Sequence, residues 1–414
     1  MIMATDNKNK VLNVPNLRFP EFTEEWRKYK VSDVLDFYST NSLSWEQLDY
    51  DNEDLYNLHY GLIHVGLPIL VDIGQNKLPG IKTECKPKNF ELCKEGDVAF
   101  ADASEDTNDV AKAIEFVNLN NHKTVCGLHT IHGRDNKHLT VLGYKGYAFA
   151  SPLFHNQIRR IAQGTKIYSI SSKNFTECYI GIPSKDEQSK IARLLALIDS
   201  RIATQNKIIE DLKKLKVAIT QKISKDKSNK KVMLSELLTE RCEKNKDLYP
   251  VHSVSVSEGI INQIDYLGRS FAANDISNYN VVYYGDIVYT KSPTGDFPYG
   301  IVKMNSINAK VSVSPLYGVY HPSSEYVGIY LHNYFSNSLN AKNYLHKLIQ
   351  KGAKNTINIT NKRFLENEIS LPNEALLKEY SLFISTFDLK IKSEQKALLL
   401  LQKQKEYLLQ QMFI

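Results

Sequence analysis

The residues of this chain best suited by type and spacing to do chemistry are Cys126, His129 and His132, three apart, with His122 and His138 on either side. Thiolate and imidazole donors at short spacing are what a zinc site uses. If the stretch is a strand, as Thr124-Val125 and Thr130-Ile131 favour, Cys126 and His132 share a face and His129 points away. If it is a helix, Cys126 and His129 are neighbours but His132 lies well round the cylinder. Neither geometry converges three ligands, so no metal is expected and these read as strand and loop histidines, one or two of them within reach of a nucleic acid. No G-x-G-x-x-G, no phosphate loop ending in Gly-Lys-Ser/Thr, no H-E-x-x-H and no Asn-Pro-Pro-aromatic segment occurs. The expectation is a chain without catalysis of its own.

What remains is binding chemistry. Arg and Lys pair guanine and phosphates, and Asn and Gln pair adenine. Candidate cations are Lys82, Lys86, Lys88, Arg134, Lys137 and Lys145 in the first part of the chain, all near Gly or Pro turns, and Arg269, Lys291, Lys303, Lys342, Lys347 and Lys351 in the second. The loops Thr165-Lys166 and Lys354-Asn355 stand out because a basic residue recurs beside Gly164 and Gly352. A net charge of +6 and a pI near 8.7 are compatible with nucleic acid and with many other partners. Five cysteines without a paired spacing fit reduced thiols, and the polar start of the chain with no long apolar run fits a cytoplasmic protein with no membrane partner.

The elements that must position these residues are organised by a duplication. Phe175 recurs as Phe364, Ile180 to Pro183 as Ile369 to Pro372, and Gly96-Asp97 as Gly285-Asp286, all at one offset of 189 residues. From Asp186 to Ile223 the apolar residues Ile191, Leu194, Leu195, Ile198, Ile202, Ile208, Ile209, Leu212, Leu215, Ile219 and Ile223 recur at threes and fours, which predicts one long helix, about 57 Å at 1.5 Å per residue. A second, about Glu374 to Met412, carries Phe383, Ile384, Phe387, Ile391, Leu398, Leu401 and Leu408. Helix-helix packing is expected through Ile191, Leu195, Ile198, Ile202, Ile209, Leu212 and Ile219 on the first and Ile384, Phe387, Ile391, Leu398, Leu401 and Leu408 on the second. Asp199 maps to Asp388, and the seam is broken at matching places, Gln205 with Glu394 and Lys216 with Lys405. Such breaks are either register positions or the solvated flank of a broad stripe.

The expected fold class is mixed α/β: two similar globular domains separated by two long antiparallel helices that form a coiled coil about a pseudo-twofold. The first domain spans residues 1–184 and the first helix 185–223. A linker follows at 224–231, then the second domain at 232–373 and the second helix at 374–414. Strands are expected over Val251 to Ser257, Val281 to Tyr289 and Val311 to Val319, short helices over Ser32 to Phe37 and Ser235 to Glu240, and a longer one over Tyr326 to Gln350.

At this point the residues resemble a known family, the specificity subunits of type I restriction-modification enzymes. The similarity lies in Pro15 to Phe22 with Glu25-Trp26 and Val31 to Leu35, in Gly285 to Val288, in the Gly164 and Gly352 loops, in the two strands ending at Pro183 and Pro372, and in Glu187-Gln188 opening the long helix. Two departures are that Leu376-Leu377 stand in the second repeat where Glu187-Gln188 stand in the first, and that the glycine-rich run after Tyr289 has no counterpart in the first half. The resemblance implies a non-catalytic DNA-reading subunit in which each domain recognises one half of a split asymmetric site on double-stranded DNA. The helices would fix the spacing and dock two methyltransferase subunits. Those would bring S-adenosylmethionine, and restriction subunits would bring ATP and Mg. From a different class, a duplicated coiled-coil scaffold without sequence reading fits the same helices.

Overall fold

A computed structural model describes residues 12–269, 272–351 and 357–414. The chain divides into two compact units, Met1–Asn206 with Ala397–Ile414, and Lys207–Lys396.

Both long helices form, over Lys185–Ser224 and Glu374–Gln411. Each opens on a side-chain cap at the repeat offset: the Ser184 hydroxyl accepts from the Glu187 amide and the Asn373 carbonyl from the Leu376 amide. Pro183 and Pro372 just upstream keep the preceding residues extended. The first of the two departures now has a physical reading. Gln188 bridges the Val141 amide and the Leu139 and Pro183 carbonyls, whereas Leu377, at the same place in the repeat, packs into the second unit's apolar core. No helix among the described residues is long and apolar enough to cross a membrane.

In the first unit, β1 (Arg27–Lys30) leads through a one-turn helix α1 (Val31–Val34) into β2 (Asp36–Tyr38). The main sheet adds β3 (Leu70–Asp72), β4 (Val98–Ala101), β5 (Ala113–Asn118) and β7 (Thr130–Arg134) in the order β2-β7-β4-β5-β3, with β6 (Thr124–Cys126) in a neighbouring sheet. Strand β8 (Tyr179–Ile182) pairs antiparallel with β1 and delivers the chain into the long helix. Ile191, Leu195 and Ile198 of that helix then pack with Trp26, Tyr144 and Tyr147 and with Leu408, Leu409, Met412 and Phe413 from the second long helix.

The second unit repeats the plan. β9 (Lys230–Met233), α2 (Leu234–Leu237) and β10 (Leu238–Glu240) open it, and β11 (Ile287–Tyr289), β12 (Val302–Met304) and β13 (Gly318–Pro322) complete a sheet ordered β10-β13-β11-β12. Helices α3 (Glu325–Phe335) and α4 (Ser338–His346) follow, and β14 (Glu368–Leu371) pairs with β9 as β8 pairs with β1. Ile219 and Ile223 lie against a core containing Leu377, Tyr380 and Ile384.

Several expected elements are corrected. The two short opening helices each consist of one turn followed by a strand, because β2 and β10 are captured by β7 and β13. The strands expected over Val281 to Tyr289 and Val311 to Val319 are each split by a turn, at Gly285 and beyond Pro315, where neither residue continues a ladder. The helix expected over Tyr326 to Gln350 breaks at Ser336-Asn337, where the Asn337 side chain accepts from the Asn340 amide and starts a new helix. On the long helices, Ile208, Leu215 and Phe383 are exposed although they fit the periodic stripe, which is therefore narrower than the sequence pattern.

Candidate nucleic-acid interface

The duplicated Gly-Asp turn is the anchor of both sheets, bond for bond. Gly96 and Gly285 sit at φ +86° and +84°, the left-handed region that a side chain resists. Their amides donate to the carbonyls of Phe116 and Asn305, themselves 189 apart. The buried carboxylates that follow accept from the amides of Lys94 and Tyr283, again at matching positions.

The histidines on these carboxylates are again 189 apart, but the arginines come from different places. Asp97 takes a bidentate pair from Arg134 (2.8 Å to each oxygen) and a 2.7 Å bond to His132 Nε2, with Arg134 lying 4.4 Å over the Tyr38 ring. Asp286 takes Arg241, at 2.7 and 3.1 Å, and His321 at 3.3 Å, with Arg241 lying 4.2 Å over Tyr283. Burial alone would raise the Asp97 carboxyl, but the hydrogen bonds from His132 and Arg134 outweigh it and hold it below the usual range.

This network removes Arg134 from the set available to a ligand: it is buried, its Nη1 donates to Glu91, and its Nη2 donates to the Leu92 carbonyl as well as to Asp97. Lys145 is also buried, 3.2 Å from Glu115, whose carboxylate further accepts from the amides of Gly143 and Gly146. Lys303 is buried in the second unit, 3.4 Å from the Ser336 hydroxyl, and among the described residues no carboxylate is paired with it. The side chains nevertheless turn inward, Arg134 and Lys303 from strands β7 and β12 and Lys145 from the helical turn Tyr144–Phe149.

The other sequence candidates are at the surface or near it. Lys86, Lys88, Lys137, Thr165 and Lys166 are exposed in the first unit, and Lys82 is half-buried with its ammonium on the Glu46 carbonyl. In the second, Arg269, Lys342 and Lys347 are exposed and Lys291 is half-buried at φ +63°. Lys351 ends the short strand Gln350–Lys351, while Gly352, Lys354 and Asn355 lie outside the described residues.

Sequence reasoning missed an aromatic group in the first unit. Trp45, 46% exposed, stacks on His59 at 4.4 Å, His59 on Tyr60 at 4.7 Å, and Tyr60 meets His129 edge-on at 5.2 Å. His129, at φ +53°, is held by Asp102. Exposed flat rings beside cations are what nucleic-acid surfaces use for stacking. The one signal available was a tryptophan set among Ser44, Glu46 and Gln47, where no core would place it.

Lys303 supplies a test of the second unit's interior. Burial, reinforced by the charge of Lys216, pushes its ammonium down to about 8. Between that value and the ordinary 10.5 the unfolded chain holds a proton the folded one has lost, so stability rises with pH through this window and the gain is absent below it. We expect Lys303→Met to stabilise the second unit by about 1–3 kcal/mol at neutral pH and to abolish this rise. Urea unfolding followed by far-UV circular dichroism at pH 7.5 and 10 measures both; a destabilised variant with the slope intact would refute it.

Residues 23–214 match the family described as Type I restriction modification DNA specificity domain. This stretch is similar to type I restriction-modification specificity domains. The resemblance drawn from the sequence is thereby borne out, and the fold of the whole chain agrees. The S subunit of the type I restriction-modification system from M. genitalium is similar over 97% of this chain and 99% of its own, with 15% identity and a TM-score of 0.55. A chain from a structure titled for complex assembly and conformational transition of the type I restriction-modification system is similar over 93% of this chain and 96% of its own, at 13% identity and a TM-score of 0.54. Among curated proteins none matches the sequence. The mixed α/β class with long packed helices is shared with these specificity-subunit folds.

Proposed function

We propose that this chain is the sequence-reading, non-catalytic subunit of a type I restriction-modification complex. Each module contacts one half of a split, asymmetric duplex site, and the long helices set the spacing and dock two methyltransferase subunits. One observation carries the reading. In the first unit Lys405 pairs with Asp199, and in the second Lys216 pairs with Asp388, each at 2.6 Å. Asp199 and Asp388, and Lys216 and Lys405, are repeat equivalents, so one contact occurs twice with the roles of the two helices exchanged. A chain whose two modules each read one half-site would carry such a repeated contact, one in each unit. In this reading the polar breaks at Lys216 and Lys405 are register positions. Exposed cations in both modules, Lys86, Lys88, Lys137 and Lys166 in one and Arg269, Lys342 and Lys347 in the other, suit contacts to phosphates.

Catalysis falls to partners in this reading: methyltransferase subunits with S-adenosylmethionine, and restriction subunits with ATP and Mg. Leu382, Leu389, Leu399 and Leu400, all exposed on the second long helix, favour a docked partner and equally suit a scaffold that reads no sequence. Co-expression with the methyltransferase subunits and mapping of methylated adenines separates the two. The expected result is one bipartite motif, of which replacement of residues 232–373 by another second module changes one half only. Methylation without a motif, or a motif unaltered by that exchange, would sink the proposal.

A further inference from the structure

Beneath the Gly-Asp turn of the first unit lies a group that the reading above does not use. Cys93, Cys126 and His132 are all buried, and their donor atoms lie within 4.8 Å of one another. The two sulfurs are 3.6 Å apart. Two thiolates on one tetrahedral zinc, each at 2.3 Å, stand roughly 3.8 Å apart. His132 donates from Nε2 to Asp97, while its Nδ1 is buried with no hydrogen-bond partner among the described residues. A fully buried ring nitrogen without a partner is costly, whereas a neutral imidazole whose other nitrogen is held by a carboxylate is the usual form of a metal-ligating histidine.

We propose that Cys93, Cys126 and His132 hold a Zn2+ ion, with Asp97 orienting the imidazole. On binding, each thiol releases its proton to solvent, and the ion, two thiolates and a neutral imidazole together carry no net charge. Neutrality matters in a site this dry. Cys126 also lines a cavity of about 360 Å³ that reaches Ser39, Asn41 and Cys85. That cavity provides an entry path and room for a water as fourth ligand. The sequence reading expected no metal because Cys126, His129 and His132 do not converge; here Cys93, 33 residues upstream of Cys126, stands beside it while His129 turns to Asp102. The ion would tie the loop before β4 to the β6–β7 turn.

The second unit is an internal control, because Val282 and Pro315 stand at the positions equivalent to Cys93 and Cys126. One ion per chain is therefore expected. The site does not depend on DNA reading, and its test needs none.

The purified full chain, dialysed against Zn2+ and then against buffer, should retain about one zinc by elemental analysis and melt at a higher temperature than chelator-treated protein. Co2+ in its place should give thiolate-to-metal absorption. Cys93→Ser and Cys126→Ser should each lower retention at least tenfold, whereas Cys242→Ser, at an exposed position, should leave it unchanged. Where a variant does not fold, the wild-type chain still decides: Zn2+ should shield two of its five cysteines from a thiol reagent. Absence of bound zinc, unchanged thiol reactivity, or a disulfide between Cys93 and Cys126 in the purified protein would each overturn the proposal.

Discussion

Ending the chain at Lys396 should unfold the first unit and leave the second standing. The segment Ala397–Ile414 belongs to the first unit although some 190 residues separate it from the rest. It supplies Leu408, Leu409, Met412 and Phe413 to the cluster around Trp26, Ile191 and Leu195. Four large buried side chains contribute roughly 6–12 kcal/mol, comparable with the whole net stability of a domain, about 5–15 kcal/mol. The truncation also strips Asp199 of Lys405 and leaves Trp26 without the Phe413 ring, 6.4 Å away. Both tryptophans, Trp26 and Trp45, lie in the first unit, so their fluorescence reports it alone. We expect no cooperative tryptophan transition, or one lowered by more than ~12 °C, together with a retained transition by circular dichroism. An unchanged tryptophan melt would show that the helical segment contributes nothing to this core.

The second large effect concerns the duplicated aspartates. Asp97→Ala leaves His132, with no exposed surface, and Arg134, 8% exposed, as charges or donors without their shared acceptor. Breaking a buried pair from one side costs about 3–5 kcal/mol. Asp286 is as deeply buried, but its partners are wet: Arg241 is 23% exposed and His321 63%. Water can take over those donors, so Asp286→Ala should cost about 1–3 kcal/mol. Guanidinium unfolding in the presence of a chelator, followed by tryptophan for the first unit and circular dichroism for the second, gives both values. Equal losses would mean that exposure of the partners does not set the cost.

How much was legible in the sequence depended on the range of the interaction. The long helices, their starts and the polar breaks at Lys216 and Lys405 follow from periodicity and from one repeat offset, which are local or self-referential signals. The inward turn of Arg134, Lys145 and Lys303 was not legible. Their surroundings come from Asp97, 37 residues away, from Glu115, 30 away, and from Ser336, 33 away. Strands of three residues such as β2, β6 and β11 are too short to show alternation, so no register could be read from which side chains face inward. Cys93 was invisible because it lies in a loop, 33 residues from Cys126. The exposed cations were legible only as a class, because a solvated lysine and one that meets a phosphate have the same sequence context.

That the first unit is closed by Ala397–Ile414 sets an order in time. A ribosome adding about 5–20 residues per second needs roughly 10–40 s to pass from Asn206 to that segment. Through that interval Ile191, Leu195 and Ile198 present an open apolar stripe, while the second unit, contiguous in sequence, can already fold. The half of the protein made first is therefore the half completed last, and nascent chains stalled in between would expose a sticky helix to chaperones and to one another.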